Sequence, residues 1–312
     1  MTTLTIALQD RPHTRALLTG EVPVPGVELR PVHDGPIVAA FRKMVRGLEY
    51  DVCELALTTY LCARRFGAEF TAIPVFPFRD FPQPAIRVRR DQLAAGSGAA
   101  AARALAGQRV GVRAYTVTTG VWGRAVLAGQ LGLDLDAITW VVADEEHVTR
   151  YPLPANVEIR LGADLDALLV AGELAATIGI ASASPEIVPL LAAEGAALER
   201  DWLGRGVYPI NHTIVVRNAL LCADPDLASR LYDAFALAKD RVLARLGAGD
   251  QPAGAAEQAL AERAEFVAGD PLPYGIAANR PTLEALSGHA LAQRILAEPA
   301  DIDALFCPLS AN

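Results

Sequence analysis

Ionisable side chains collect beside apolar runs at a few places, and any chemistry has to start from them. Directly after the first apolar run, the segment Gln9–Thr14 brings Asp10, Arg11 and His13 close together. A carboxylate, a guanidinium and an imidazole in one short segment can bind an anionic ligand and exchange a proton. The alternative is helix capping, in which Asp10 or Thr14 accepts backbone N–H groups and Arg11 is solvated.

Glu54 lies inside the otherwise apolar run Asp51–Leu57. A carboxylate is costly to bury unless a cation or hydrogen bonds replace its water. Glu54 therefore either pairs with a cation of a ligand site or faces water at a sheet edge, and the sequence leaves both open.

The densest polar segment, 113–122, follows an apolar run and opens a helical pattern. Its candidate ligand-binding residues are Arg113, Tyr115, Thr116, Thr118 and Thr119. Hydroxyls beside the N–H groups of a helix start can hold a carboxylate. The alternative is an ordinary N-cap with spare β-branched residues.

The segment Tyr208–Thr213 leads into a further apolar run and predicts Asn211 and His212 on the floor of a ligand cleft. Histidine is the side chain most readily tuned to transfer protons near neutral pH, although a lone histidine at a strand start is often structural. The acidic run at 144–147 is predicted to be a solvated loop.

Several signatures are missing from the sequence. It contains no GxGxxG after a strand, no GxxxxGK, no GxSxG and no HExxH, and its 4 cysteines form no CxxC pair. These absences argue against nucleotide cofactors, serine-hydrolase chemistry and zinc knuckles. No cofactor is predicted, and the pattern leaves a divalent metal open.

Composition places the chain among globular proteins. Of 312 residues, 52% are hydrophobic and 21% charged, and the net charge of −8 argues against a nucleic-acid surface. The alternating start Met1–Leu8 lacks the basic head and apolar core of a secretory signal, and no run is long enough to span a bilayer. A cytoplasmic protein without membrane segments is expected.

Strand-like runs alternate with helical periodicity over the first two thirds of the chain, which predicts an α/β fold with parallel or mixed sheets. Strands are predicted at Leu4–Leu8, Val27–Val32, Asp51–Leu57, Ala85–Arg89, Arg109–Val112, Ile138–Val142, Ala175–Ile180 and His212–Val216. Helices are predicted at Pro36–Arg46, Thr58–Phe66, Thr118–Leu131, Leu165–Ala171, Pro185–Glu194, Pro225–Leu246, Ala253–Val267 and Pro281–Leu296.

Length and pattern predict two lobes with a ligand cleft between them. The first lobe comprises residues 1–87 and 213–312, including a helical C-terminal tail that packs on it, and the second comprises residues 88–212. The strands Ala85–Arg89 and His212–Val216 are the predicted crossings between the lobes.

An ordered set of segments resembles the 4,5-dihydroxyphthalate decarboxylase family along nearly the whole chain. The matching segments are Leu8–Arg15, Asp51–Glu54, Phe70–Pro77, Arg113–Trp122, Tyr208–Thr213 and Tyr274–Arg280. The resemblance implies a fold like that of type II periplasmic binding proteins and a non-oxidative decarboxylation of 4,5-dihydroxyphthalate to protocatechuate.

For such a reaction we hypothesise roles for the candidate residues. Arg11, Arg113 and the threonine hydroxyls would bind the carboxylates of a small aromatic substrate, and His212 or His13 would protonate the ring carbon. Glu54 would orient a phenol hydroxyl or the histidine. The competing functions are a solute-binding protein for an aromatic or dicarboxylic acid and another small-molecule lyase. A homodimer is the default expectation for the oligomer.

Overall fold

The structure is a computed structural model that describes residues 1–33, 35–93 and 98–310. The chain divides into two compact units. Unit 1 comprises Met1–Arg79, His212–Arg280 and Asp301–Asn312, and unit 2 comprises Asp80–Asn211 and Pro281–Ala300.

All eight predicted strands are present, and three further strands were missed. The strands are β1 Thr2–Ala7, β2 Val27–Pro31, β3 Val52–Ala56, β4 Phe70–Arg79, β5 Ile86–Arg89, β6 Arg109–Val112, β7 Thr139–Val142, β8 Val157–Ile159, β9 Ala176–Ile178, β10 Ile187–Pro189 and β11 Ile210–Arg217. The missed strands are β4, β8 and β10, of which β4 contains Pro74 and Pro77. Proline is tolerated in β4 because this strand lies at the edge of its sheet.

The helices are α1 Pro12–Leu18, α2 Ile37–Gly47, α3 Leu57–Arg65, α4 Arg90–Leu93, α5 Gly98–Arg103, α6 Thr118–Ala125, α7 Leu165–Val170, α8 Gly195–Gly204, α9 Asn218–Ala223, α10 Leu227–Gly247, α11 Ala255–Val267, α12 Arg280–Ala292 and α13 Ile302–Leu305. The helix predicted at Pro185–Glu194 was wrong. Its central residues form β10, because Ile187–Pro189 pairs antiparallel with residues 87–89 of β5. The helix α8 begins only after Glu194.

Each unit contains one mixed sheet among the described residues. The sheet of unit 1 has the order β2-β1-β3-β11-β4, in which β1 runs parallel to β2 and β3 while β11 runs antiparallel to β3. The sheet of unit 2 has the order β10-β5-β9-β6-β7-β8, in which β6, β7, β8 and β9 are mutually parallel and β5 is antiparallel to β9. The predicted α/β class with parallel and mixed sheets is confirmed.

The division of the chain differs from the sequence-based one at three points, of which one is a shift of a single residue: the chain returns to unit 1 at His212 instead of Thr213. The chain leaves unit 1 after Arg79 at the end of β4 instead of after Arg87, because β5 pairs with β9 and β10 in the other sheet. Most of α12 belongs to unit 2 although the whole C-terminal tail was placed in the first lobe. Thr282 of α12 accepts the Tyr208 N–H and donates to the Gly206 carbonyl, which ties the helix there.

Among the described residues, no helix is long and apolar enough to cross a membrane.

The packing of α6 against β9 in unit 2 can be tested by substitution. A Cβ atom at Gly123 would lie 2.5 Å from Cγ2 of Ile178 on β9, a stiff β-branched side chain. We therefore expect Gly123→Ala to lower the free energy of unfolding by about 1 to 3 kcal/mol, measured by urea denaturation.

Gly288 provides a matched control, since it lies inside α12 with open space around its Cα. Gly288→Ala should leave stability unchanged or raise it by up to about 1 kcal/mol. Equal effects of the two substitutions would contradict the close contact of α6 with β9.

Candidate active site

The loop after β1 is built by its own side chains. Thr14 Oγ1 donates to the Gln9 carbonyl at 2.7 Å and accepts the Arg11 N–H at 2.9 Å. Pro12 occupies the first position of α1, where its fixed φ suits a helix start and its missing N–H costs nothing. The capping predicted as the alternative role of Thr14 is therefore present, but Arg11 is turned inward and not left to solvent.

Glu54 on β3 is the centre of the site in unit 1, and its side chain has no exposed surface. Arg11 donates to both carboxylate oxygens at 2.8 Å, and Nδ1 of His212 lies 2.6 Å from Oε1. The backbone N–H of Gln9 donates to Oε2 at 3.0 Å. Of the two interpretations left open for Glu54, pairing with a cation is the one present.

Strand register brings these groups together. β11 runs antiparallel to β3 with Ile214 opposite Glu54. His212 is two residues before Ile214, so it lies on the same face of the sheet as Glu54 and is its diagonal neighbour. β1 runs parallel to β3 with Ala7 opposite Cys53, so Gln9 and Arg11 follow just beyond the end of β1. Three strands separated widely in sequence therefore converge on one carboxylate.

Opposing effects set the ionisation of Glu54. Burial by itself raises the pKa of the carboxyl group, but the hydrogen bond from His212 and the charges of Arg11 and His212 outweigh it and lower the pKa to about 2. Glu54 is consequently ionised at neutral pH, and it holds the Nδ1 atom of His212 as a hydrogen-bond donor.

Two aromatic rings position the imidazole of His212. Phe41 meets it edge-on at 5.0 Å between ring centroids, and Phe78 meets it at 5.0 Å with the planes tilted by 53°. The guanidinium of Arg11 also lies over the Phe78 ring, 5.1 Å from its centroid. The side chains of Arg11 and His212 remain 17% and 13% exposed, so both groups keep some contact with solvent, whereas Glu54 has none.

His13 and Asp10 lie near this group with different surroundings. His13 is buried, and its Nε2 donates to the Pro77 carbonyl at 2.9 Å. Burial lowers the pKa of His13 from its ordinary value of 6.5 to about 4, so the ring is neutral near pH 7. Asp10 forms a largely exposed ion pair with Arg15 at 3.0 Å and does not join the Glu54 group.

The predicted carboxylate cradle in unit 2 holds a carboxylate of the chain itself. Thr116 donates to Glu146 from its N–H at 3.0 Å and from its hydroxyl at 2.5 Å, and the N–H of Tyr115 donates to the same carboxylate. Glu146 is 8% exposed, so the solvated loop predicted at 144–147 was wrong there. The cause is topological, because β6 and β7 are parallel neighbours and the loops after them meet.

The remaining predicted residues of unit 2 have partners of their own. Arg113 pairs with Asp144 at 3.3 Å, and Thr119 Oγ1 accepts a hydrogen bond from the Asn211 side chain at 3.3 Å. Thr118 is buried at the start of α6. Their role in binding a substrate stays a prediction.

Sequence reasoning missed Phe41, Phe78 and Glu146. Glu146 could have been found by noting that segments following adjacent parallel strands share one sheet edge. Phe41 and Phe78 carry no local signal, because any phenylalanine in an apolar run looks like a core residue.

Metal-binding geometry is not seen in the part of the chain that the structure describes, where no group of three or more His, Cys, Asp or Glu side chains could hold an ion.

Solved structures with this fold cover nearly the whole chain. The desulfurization enzyme DSZB has a TM-score of 0.57 at 18% identity, covering 99% of this chain and 97% of its own. The periplasmic aliphatic sulphonate binding protein SsuA from Escherichia coli has a TM-score of 0.59 at 12% identity, covering 98% of both chains. At these identities the likeness concerns the fold alone, and it confirms the predicted periplasmic-binding-protein-like fold.

Sequence relatives define the family. A 4,5-dihydroxyphthalate decarboxylase of Comamonas testosteroni is 31% identical over 258 residues, which are 78% of this chain and 76% of the relative. One of Pseudomonas putida is 35% identical over 185 residues, 56% of this chain and 69% of the relative. No protein-family model matches the chain. The chain belongs to the 4,5-dihydroxyphthalate decarboxylase family.

The buried state of His13 predicts a pH effect on stability. Between pH 6.5 and about 4 the unfolded chain takes up a proton at this histidine and the folded chain does not, so stability falls as the pH falls through that window. The loss amounts to on the order of 3 kcal/mol. We expect His13→Gln to flatten this part of the pH dependence of the free energy of unfolding.

The control is His33→Gln, since His33 is exposed. Its stability profile should follow that of the unchanged protein. A His13→Gln profile as steep as the original would contradict the assignment of a buried, neutral ring.

Proposed function

We propose that this chain is a carboxy-lyase that converts 4,5-dihydroxyphthalate to protocatechuate and carbon dioxide without an oxidant. Membership of the decarboxylase family supports the reaction class. The observation that carries the proposal is the 2.6 Å hydrogen bond between the fully buried Glu54 carboxylate and Nδ1 of the partly exposed His212.

The reaction requires a proton to be delivered to the ring carbon that bears the departing carboxylate. Each hydroxyl of 4,5-dihydroxyphthalate is para to one carboxylate, so the phenol oxygen stabilises the cation formed by that protonation. The bond between the ring and the carboxylate carbon then breaks, its electron pair restores the aromatic ring, and carbon dioxide leaves. An acid that can approach the ring is the main requirement.

His212 suits this role better than His13. With Nδ1 donating to Glu54, the proton available for transfer is the one on Nε2, and the negative charge of Glu54 stabilises the doubly protonated ring. His13 is kept neutral by burial and uses its Nε2 on the Pro77 carbonyl. We therefore assign the proton transfer to His212 and a structural role to His13.

Arg11 can serve both Glu54 and the substrate. Its two terminal nitrogens each direct one N–H to Glu54, and a guanidinium carries five N–H donors in all. Three N–H donors of Arg11 therefore remain after the pairing with Glu54, and the side chain that carries them is 17% exposed. We propose that they bind a carboxylate of the substrate while the bidentate pair keeps Glu54 ionised and fixed.

The direct test is to incubate the purified protein with 4,5-dihydroxyphthalate, with and without a chelator, and to follow carbon dioxide and protocatechuate. Release of equal amounts of both products is expected. Binding that raises the melting temperature without any product would refute the decarboxylase and favour a solute-binding protein.

Replacement of the proposed acid should separate catalysis from binding. We expect His212→Gln to lower kcat by roughly 100- to 10,000-fold, the usual contribution of a general acid, while 4,5-dihydroxyphthalate still raises the melting temperature. His289→Gln is the matched control, because this histidine is also partly buried against an aromatic ring, Trp122, at 5.6 Å. Full activity of His212→Gln would remove the residue from the mechanism.

Neutralising Glu54 should change the pH profile as well as the rate. Without the negative charge, the protonated form of His212 is less favoured, so Glu54→Gln should move the alkaline limb of the pH–kcat profile to lower pH and reduce kcat by roughly 100-fold or more. Glu146→Gln is the control, since that carboxylate is buried too but is bound by backbone N–H groups and a hydroxyl. An unmoved limb in Glu54→Gln would show that Glu54 does not act through the histidine.

A further inference from the structure

Phe78 is an aromatic residue beside the acid and the cation of the site, and it takes no part in the proton transfer itself. It lies near the end of β4, and its ring contacts both the imidazole of His212 and the guanidinium of Arg11. Phe76, two residues earlier on the same strand, is fully buried against Phe306. Phe78 is only partly buried.

A core role does not account for this exposure. Phe41 already supports the His212 ring edge-on from a position that is 1% exposed. The part of the Phe78 ring that remains exposed lies beside a proton donor and a carboxylate-binding guanidinium, and it offers apolar surface to a ligand. Aromatic rings prefer other aromatic rings at centroid separations of roughly 4.5 to 7 Å, in offset or edge-on geometry.

We propose that Phe78 is a specificity-determining residue that packs against the aromatic ring of the substrate and selects planar aromatic carboxylates over alicyclic ones. The inference rests on the proposed function and deepens it. Packing on Phe78 holds the substrate ring next to the imidazole of His212. The ring carbon that bears the departing carboxylate is then within reach of the proton on Nε2 of His212. A puckered saturated ring with the same carboxylates lacks the π face and does not lie flat.

The test compares two unreactive ligands by isothermal titration calorimetry. Phthalate is aromatic and lacks the hydroxyls that the reaction requires, and cis-cyclohexane-1,2-dicarboxylate carries the same pair of carboxylates on a saturated ring. We expect Phe78→Leu to weaken phthalate binding by roughly 3- to 10-fold and to change binding of the saturated acid by less than about 2-fold. Phe78→Tyr should restore the phthalate affinity.

Phe266→Leu is the matched control, because Phe266 is also partly buried and carries an arginine, Arg263, 5.9 Å from its ring centroid. It should change neither affinity. If Phe78 only supported Arg11 and His212, its loss would weaken the binding of phthalate and of the saturated dicarboxylate equally, since both ligands present their carboxylates to Arg11.

The inference would be overturned if Phe78→Leu lowered the affinity for both ligands equally or changed neither affinity. It would also be overturned if the unchanged protein did not bind phthalate. Failure of the decarboxylase proposal has a different signature. In that case the unchanged protein would bind phthalate through Phe78 and release no carbon dioxide from 4,5-dihydroxyphthalate.

Discussion

The buried charge of Glu54 is the constraint on which the site in unit 1 depends. An ionised carboxylate removed from water costs several kcal/mol unless hydrogen bonds and opposite charge replace its hydration. Here the replacement comes from the Gln9 N–H, two nitrogens of Arg11 and one of His212. Because these donors follow β1 or begin β11, the pairing of both strands with β3 determines whether the charge is satisfied.

A second buried carboxylate, Glu146 in unit 2, is satisfied in another way. The N–H groups of Tyr115 and Thr116 and the Thr116 hydroxyl donate to it. Both carboxylates are buried, and Glu54 differs in that two cationic side chains bind it. Glu54 can influence a proton on an imidazole, whereas Glu146 joins the segments that follow β6 and β7.

The fold by itself does not distinguish binding from turnover. Structures with similar folds include a sulphonate binding protein and a desulfurization enzyme. In the mechanism proposed for this chain, the feature added to ligand binding is a histidine whose orientation is held by a carboxylate and two aromatic rings. Such orientation is what general acid catalysis requires beyond binding, because proton transfer needs the donor within hydrogen-bond reach of the reacting atom.

The sequence by itself determined the alternation of strands and helices, the polar segments at 9–14 and 113–122, and the family to which they belong, since these are carried by local pattern and residue order. Only the tertiary structure decided which groups meet. Glu54 pairs with Arg11 and His212 because β1 and β11 flank β3, and the threonine cradle binds Glu146 because β6 lies beside β7. Strand order and register set these contacts, and both depend on interactions between residues far apart in the chain that no local pattern contains.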